Sequence, residues 1–359
     1  MKKIRVLIID DSLVVQKVLT CMLNSAPDLE VVGAAENPLV AREMIKQLNP
    51  DVLTLDIEMP QMDGMTFLRN LMRLRPMPVV MVSTLTEVGA EITLEALALG
   101  AVDFISKPRV NSQNSIADYA EEIIAKVRSA AKTSVKAHLE KVPTIVSDAQ
   151  KHITAMEKIL AARSAVNLNR IITLGSSTGG TEAIKVVMKG MPADSPPILI
   201  TQHLPAMFSE SFVKHIDSVT DMTASIPVHG QIVEWGNIYL APGDHHMGII
   251  RENNKYIIQL QDGELVNRHK PAVDVLFHSA AKCAGENAVC VLLTGMGADG
   301  AAGMQAMKAA GAKTIVQDEA SSVVWGMPGA AYKLGCADYV VALDDIAAKI
   351  LTLVRPSLR

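Results

Sequence analysis

Short, unbroken aliphatic runs recur along this chain, and most are followed by a segment whose apolar positions fall three and four residues apart. Such a run suits a strand buried on both faces, and the periodic segment suits a helix crossing over it. Residues 4–9, 30–34, 51–55, 78–82 and 101–105 read as strands, with helices over 12–23, 38–48, 65–74 and 88–99 between them. Residues 117–133 read as a long amphipathic helix closing this first unit. A second series starts at Arg170, with strands over 171–175, 197–201, 288–293 and 313–316 and helices over 181–189, 207–219, 272–284 and 300–310. Residues 232–240 also read as β, and 247–260 as a hairpin turning at Glu252-Asn253-Asn254. The predicted fold class is therefore α/β throughout. An open, five-stranded parallel sheet comes first, then a doubly wound, mostly parallel unit with a β-hairpin insertion.

Between the two series the pattern lapses. Asn111-Ser112-Gln113-Asn114-Ser115 is polar, and 135–166 carries isolated apolar residues without a strand signal, as a partly helical linker would. The expected organisation is a first domain over 1–130, a linker over 131–166 and a second domain over 167–359. The length, 359 residues, agrees with more than one core. With 49% hydrophobic but only 3% aromatic residues, the cores should be aliphatic. A net charge of −4 with no basic stripe argues against a nucleic-acid partner. The four cysteines, Cys21, Cys283, Cys290 and Cys336, form no CxxC pattern and read as small buried hydrophobes in a reducing compartment. No apolar run approaches the roughly 18 residues of a membrane span, and the apolar stretch near Met1-Lys2-Lys3 is too short for a signal peptide. The expectation is a cytoplasmic protein that is not integral to a membrane.

Ligands of open parallel sheets sit beyond the carboxyl ends of the strands. In the first unit those ends carry Asp10 and Asp11, Asp56, Ser83-Thr84, and Lys107-Pro108. A single aspartate after a strand is usually a helix cap or turn residue. Several such ends converging on one edge make a different case. Clustered carboxylates repel unless a cation lies among them, and hard oxygen ligands suit Mg²⁺. A carboxylate can also attack a phosphoryl group, with Lys107 neutralising charge and Ser83 bonding the product.

In the second unit, Gly175-Ser176-Ser177-Thr178-Gly179-Gly180 contains G-x-S-x-G between a strand and a helix, the setting of a nucleophile elbow. A glycine-rich turn there could instead cradle phosphate, although it lacks the lysine of a P-loop. A nucleophilic serine needs a base and an orienting acid. The strand-end rule selects His203, in Gln202-His203-Leu204-Pro205, and Asp299, in Gly295-Met296-Gly297-Ala298-Asp299-Gly300. His245-His246 is the main rival base, whereas His215 and His278 fall inside helical patterns. The N–H groups of Met296 and of Thr178, just after Ser177, are candidate oxyanion donors. The chain order Ser, His, Asp differs from that of α/β-hydrolases.

Residues 1–130 resemble a response-regulator receiver domain, which is flavodoxin-like. The resemblance rests on Ile8-Ile9-Asp10-Asp11-Ser12, Asp56-Ile57-Glu58-Met59-Pro60 with Asp63-Gly64, Ser83 and Lys107-Pro108. It implies that Asp56 accepts phosphate from a chemotaxis histidine kinase. It further implies that Asp10, Asp11, Asp56 and a main-chain carbonyl near Glu58 hold Mg²⁺, and that Phe104 is the aromatic switch residue beside Ser83 and Lys107. Residues 167–350 resemble the catalytic domain of chemotaxis-type protein-glutamate methylesterases. Here the matching stretches are Gly175 to Gly180 with Thr181-Glu182-Ala183, Gln202 to Pro205, Ala241-Pro242-Gly243 with His245, Pro271-Ala272-Val273-Asp274, and Leu293 to Gly300. That resemblance implies hydrolysis of glutamate γ-methyl esters on the cytoplasmic domain of chemoreceptors, with recruitment to membrane-bound receptor arrays. It needs no cofactor for the esterase step, and family members also deamidate receptor glutamines. A small-ester hydrolase and a non-catalytic signalling adaptor are the alternative functions.

Overall fold

The computed structural model describes residues 2–59, 62–83, 86–107, 116–133 and 169–354. The expected linker lies, from residue 134 onward, outside the described residues, as do Thr84 and Pro108. The first unit alternates β1 (Ile4–Ile9), α1 (Leu13–Asn24), β2 (Leu29–Ala35), α2 (Pro38–Leu48), β3 (Val52–Asp56), α3 (Gly64–Leu74), β4 (Val79–Ser83), α4 (Glu87–Ala98), β5 (Asp103–Ser106) and α5 (Ile116–Ala130). Its sheet has the order β2-β1-β3-β4-β5, with every pair parallel. β3 and β4 are buried at every position, as central parallel strands covered on both faces must be. The helices start where a short polar side chain can accept an orphan N–H. Ser12, Asn37, Asp63 and Thr86 each accept from the first turn that follows, a bond worth about 1 kcal/mol per helix.

The second unit comprises β6 (Ile171–Ser176), α6 (Gly180–Lys189), β7 (Ile198–Gln202), α7 (Ser209–Asp217), β8 (Thr223–Ser225), β9 (Asn237–Leu240), β10 (His246–Glu252), β11 (Lys255–Gln261), α8 (Val273–Cys283), β12 (Ala288–Leu292), α9 (Ala301–Ala309), β13 (Lys313–Gln317), α10 (Met327–Lys333), β14 (Tyr339–Val341) and α11 (Ile346–Val354). Seven strands form a parallel sheet in the order β14-β13-β12-β6-β7-β9-β8, and β10 pairs with β11 as a separate antiparallel ribbon. β6 lies at the switch point, with β12 on one side and β7 on the other. The hairpin turns at Asn253-Asn254, both left-handed with φ of 48° and 62°, as asparagine tolerates in such two-residue turns.

Four expectations need correcting. Of the cysteines expected to be buried, Cys290 and Cys336 are, but Cys283 is half-buried and Cys21 exposed. The strand expected over 232–240 is only Asn237–Leu240. Upstream, Ile232 bridges Ile257 and the Val233 N–H bonds Tyr256, so that segment lies along the hairpin, and a turn at Trp235-Gly236 separates the two. The helix expected over 207–219 is a 3-10 turn, Ala206–Phe208, followed by α7. The sequence pattern also passed over β8, α10, β14 and α11. The two strands have three residues each, too few to display a period.

The two units touch. Phe104 of β5 stacks on Phe208 with ring centroids 4.6 Å apart, and α4 packs against α6, α7 and the 3-10 turn. A continuous apolar cluster runs from the first sheet through Ala90, Leu94 and Phe104 to Phe208, Phe212 and the second sheet.

Gly175, near the end of β6, leaves room for α8. A Cβ there would meet Val273 Cγ1 at 2.2 Å and Leu292 Cδ1 at 3.1 Å. Gly175→Ala should cost about 1–3 kcal/mol through overpacking. Both tryptophans, Trp235 and Trp325, lie in the second unit. Urea unfolding followed by tryptophan fluorescence should therefore move to lower denaturant, and an unchanged midpoint would contradict this packing.

Candidate active sites

The first site forms where β1, β3, β4 and β5 end. Asp10, Asp11 and Asp56 each place a carboxylate oxygen within 4.8 Å of the other two. Asp10 and Asp56 are buried and Asp11 is exposed. Lys107 Nζ lies 2.7 Å from Asp56 Oδ2 and 3.2 Å from Asp10 Oδ2. Beyond that ion pair, Asp10 Oδ2 is buried without a hydrogen bond among the described residues. Burial, with Asp10 adding to it, pushes the Asp56 carboxyl up to about 6 against the opposing pull of Lys107. An all-oxygen donor set with a buried, unbonded oxygen fits a hard divalent cation. Ser83 is buried at the end of β4, and its carbonyl accepts the Lys107 N–H at 2.7 Å. The Glu58 side chain is exposed and stands outside the carboxylate cluster, so only its main chain neighbours the pocket. Phe104 is buried against Phe208.

The second site forms at the ends of β6, β7 and β12. The chain leaves β6 through Ser177-Thr178-Gly179, with Gly179 left-handed at φ 76°, and enters α6. A Cβ at Gly179 would lie 2.6 Å from Val323, so this turn requires glycine twice over. Ser177 Oγ lies 3.1 Å from His203 Nδ1, and His203 Nε2 lies 2.8 Å from Asp299 Oδ2. Asp299 also accepts from the main-chain N–H groups of Val273, Asp274 and Gly300 and from the Asn267 amide. Burial works to raise the Asp299 pKa, but the donors, led by His203, outweigh it and hold it near 2. An ionised carboxylate only accepts. His203 therefore donates Nε2–H to Asp299 and keeps the Nδ1 lone pair for the Ser177 hydroxyl.

The Ser177 N–H is occupied, bonding the Thr294 carbonyl at 3.1 Å. Among the described residues neither the Thr178 nor the Met296 N–H donates a hydrogen bond. The rival histidines fall elsewhere. His246 is buried and bridges the Glu264 carbonyl to the Ala272 N–H, a role in loop structure. His245 is half-buried and pairs with Asp244.

Two residues near the site had not been singled out. Gln202 accepts from Ser176 Oγ at 2.5 Å and donates to the Ser177 carbonyl at 3.0 Å, bracing the turn. Its place at a strand end beside His203 was a usable signal. Asp103, at the start of β5, accepts a hydrogen bond from the Thr178 hydroxyl and is 3.5 Å from Lys126 Nζ. No pattern in the chain could reveal it, because its partner lies in the other unit.

Comparison with known proteins agrees with both halves. The family model for CheB methylesterase matches residues 172–350, and that for the response regulator receiver domain matches residues 6–118. A protein of Xanthomonas oryzae pv. oryzae, named protein-glutamate methylesterase/protein-glutamine glutaminase 2, is 53% identical over 98% of this chain and 97% of its own length. A similarly named protein of Bordetella avium is 54% identical over 98% of this chain and 97% of its own. The crystal structure of the Thermotoga maritima CheB methylesterase catalytic domain is 35% identical, with a TM-score of 0.51, and covers 52% of this chain and 98% of its own.

Because the folded Asp56 carboxyl is raised above its ordinary 3.8 to about 6, its contribution to stability is present below the unfolded pKa and is lost as pH rises through the folded one. Without divalent cations, Asp56→Asn should gain stability over the wild type between about pH 4 and pH 7. Thermal melts across that range check this; a gap that narrows with rising pH would contradict it.

Proposed function

The chain belongs to the CheB methylesterase family, here joined to a response regulator receiver domain, and on that premise we propose that it is a phosphorylation-activated chemotaxis esterase. It hydrolyses glutamate γ-methyl esters on the cytoplasmic domain of chemoreceptors to glutamate and methanol. It also deamidates receptor glutamines. The observation that carries the chemical reading is the continuous Ser177–His203–Asp299 contact at the switch point of the seven-stranded sheet.

In this reading Ser177 Oγ attacks the ester carbonyl while His203 Nδ1 takes its proton. Asp299 holds the ring and stabilises the imidazolium that forms. The oxyanion meets the N–H groups of Thr178 and Met296. His203 returns the proton to the departing methoxide, and methanol leaves. Water then attacks the acyl-serine, giving its proton to His203, which passes it to Ser177 Oγ as glutamate is released. With a glutamine side chain the same steps expel ammonia.

In the receiver unit, Asp56 takes the phosphoryl group from a histidine kinase: the phosphorus–nitrogen bond breaks and an aspartyl phosphate forms. Asp10, Asp11 and Asp56, with the main chain at Glu58, would hold Mg²⁺. When bound, the cation neutralises charge on the phosphoryl oxygens. Lys107 is placed to pair with those oxygens, and Ser83 to bond them.

Control follows from the contact between the units. Asp103 engages the hydroxyl of Thr178, next to the nucleophile, and Phe104 covers Phe208, five residues after His203. The unphosphorylated receiver thus sits against the esterase turn. Phosphorylation favours release of that contact by making the two arrangements differ in free energy. No helix among the described residues is long and apolar enough to cross a membrane.

Ser177→Ala should lower methanol release from methylated receptor membranes by at least about 10⁴-fold with the tryptophan unfolding curve unchanged. Near-normal release in that variant would remove the assignment. Phe208→Leu keeps apolar bulk but loses a ring stack worth about 0.5–1.5 kcal/mol. Its release without phosphodonor should rise roughly two- to tenfold, and unaltered basal release would count against the occluding contact.

A further inference from the structure

Beside the hydrolytic site runs a tight turn that the mechanism above does not use. Val266 and His269 exchange both main-chain hydrogen bonds, at 3.1 and 2.9 Å. The two residues between them, Asn267 and Arg268, are both left-handed, with φ of 52° and 67°. This is a two-residue turn with positive φ at both central positions, a conformation in which asparagine is favoured. It aims two side chains at the base and its acid. Asn267 Nδ2 donates to Asp299 Oδ1 at 2.7 Å and to Asp274 Oδ2 at 2.7 Å. One amide nitrogen carries two hydrogens, so it can serve both carboxylates. The His269 ring lies on the His203 ring, with centroids 3.7 Å apart and planes 16° from parallel.

We propose that this turn positions the catalytic pair, with Asn267 fixing the rotation of the Asp299 carboxylate and His269 fixing the plane of the His203 ring. The proposal rests on the methylesterase reading. Asp299 presents Oδ2 to His203, and rotation about its Cβ–Cγ bond would withdraw that oxygen. Asn267, grasping Oδ1, opposes the rotation. His203 is bonded at two points on its ring edge, which leaves tilting about the line between them, and a ring against its face restrains that tilt. Neither side chain hydrogen-bonds Ser177 Oγ, whose partner is His203, so both act through their neighbours. Burial, reinforced by His203 and Lys126 and opposed by Asp299, lowers the His269 pKa to about 3. His269 therefore stays neutral when His203 becomes an imidazolium, and adds no repelling charge.

The test uses the full-length protein and two readouts. One is steady-state methanol release from methylated receptor membranes. The other is the rate at which a fluorophosphonate labels Ser177, which reports activation of the nucleophile without any methyl ester. Asn267→Gly preserves the turn, because glycine accepts positive φ, and removes only the amide. It should lower kcat about ten- to a hundredfold with KM unchanged, and slow labelling by the same factor. His269→Ala should lower kcat severalfold, and His269→Phe, which restores a flat ring, should recover most of it. Wild-type kcat and labelling in Asn267→Gly would overturn the proposal, as would a His269→Phe variant no better than His269→Ala. A wild type that is labelled at Ser177 yet releases no methanol would refute the methylesterase reading instead, and the labelling rates would still decide for or against the turn.

Discussion

The hydrolytic half is organised around one buried carboxylate. Asp299 is 4% exposed and accepts from five donors: His203, Asn267 and the main chain at Val273, Asp274 and Gly300. A buried charge without such partners would cost several kcal/mol. Here the same contacts do structural and chemical work at once. Ala272 provides no cap for α8, and Asp299 supplies it by accepting the first two N–H groups of that helix. The remaining edge of Oδ2 then faces His203 and sets its tautomer. The Ser, His, Asp order along the chain follows from the sheet order, because β12, which leads to Asp299, returns to lie beside β6 on the side opposite β7.

One strand of four residues, β5, touches both sites. Just beyond its carboxyl end, Lys107 pairs with Asp56, while Asp103 and Phe104 at its start contact Thr178 and Phe208. Lys126 of α5 supports the same strand, lying 5.0 Å from the Phe104 ring centroid and pairing with Asp103. Chemistry at Asp56 is therefore one short strand away from the esterase turn. Lys107, Asp103 and Phe104 thus lie within one run of five residues.

Much of this was legible before the fold was known, and for physical reasons. Short, largely aliphatic runs such as Val-Leu-Thr-Leu over 52–55 suit central strands, and a parallel sheet collects function at their carboxyl ends. That rule pointed to Asp10, Asp56 and Lys107, and again to Ser177, His203 and Asp299. It failed where recognition is not local. Asp103 lies at the start of a strand rather than at its carboxyl end, and its partner is 75 residues away. Asn267 lies in a turn whose sequence reads as ordinary loop. Ile232 and Val233 have strand character but pair with the hairpin, a choice made by tertiary packing rather than by their own periodicity.

Both halves of the chain converge on one species, a covalent acyl-serine at Ser177 whose formation phosphorylation gates. The most direct test is acid-quench mass spectrometry of the full-length protein mixed with a methylated receptor fragment, Mg²⁺ and a small phosphodonor. A glutamyl adduct is expected on the peptide carrying Ser177, with occupancy that rises when the phosphodonor is present. Methanol release with no adduct at Ser177, or an adduct on another residue, would contradict it.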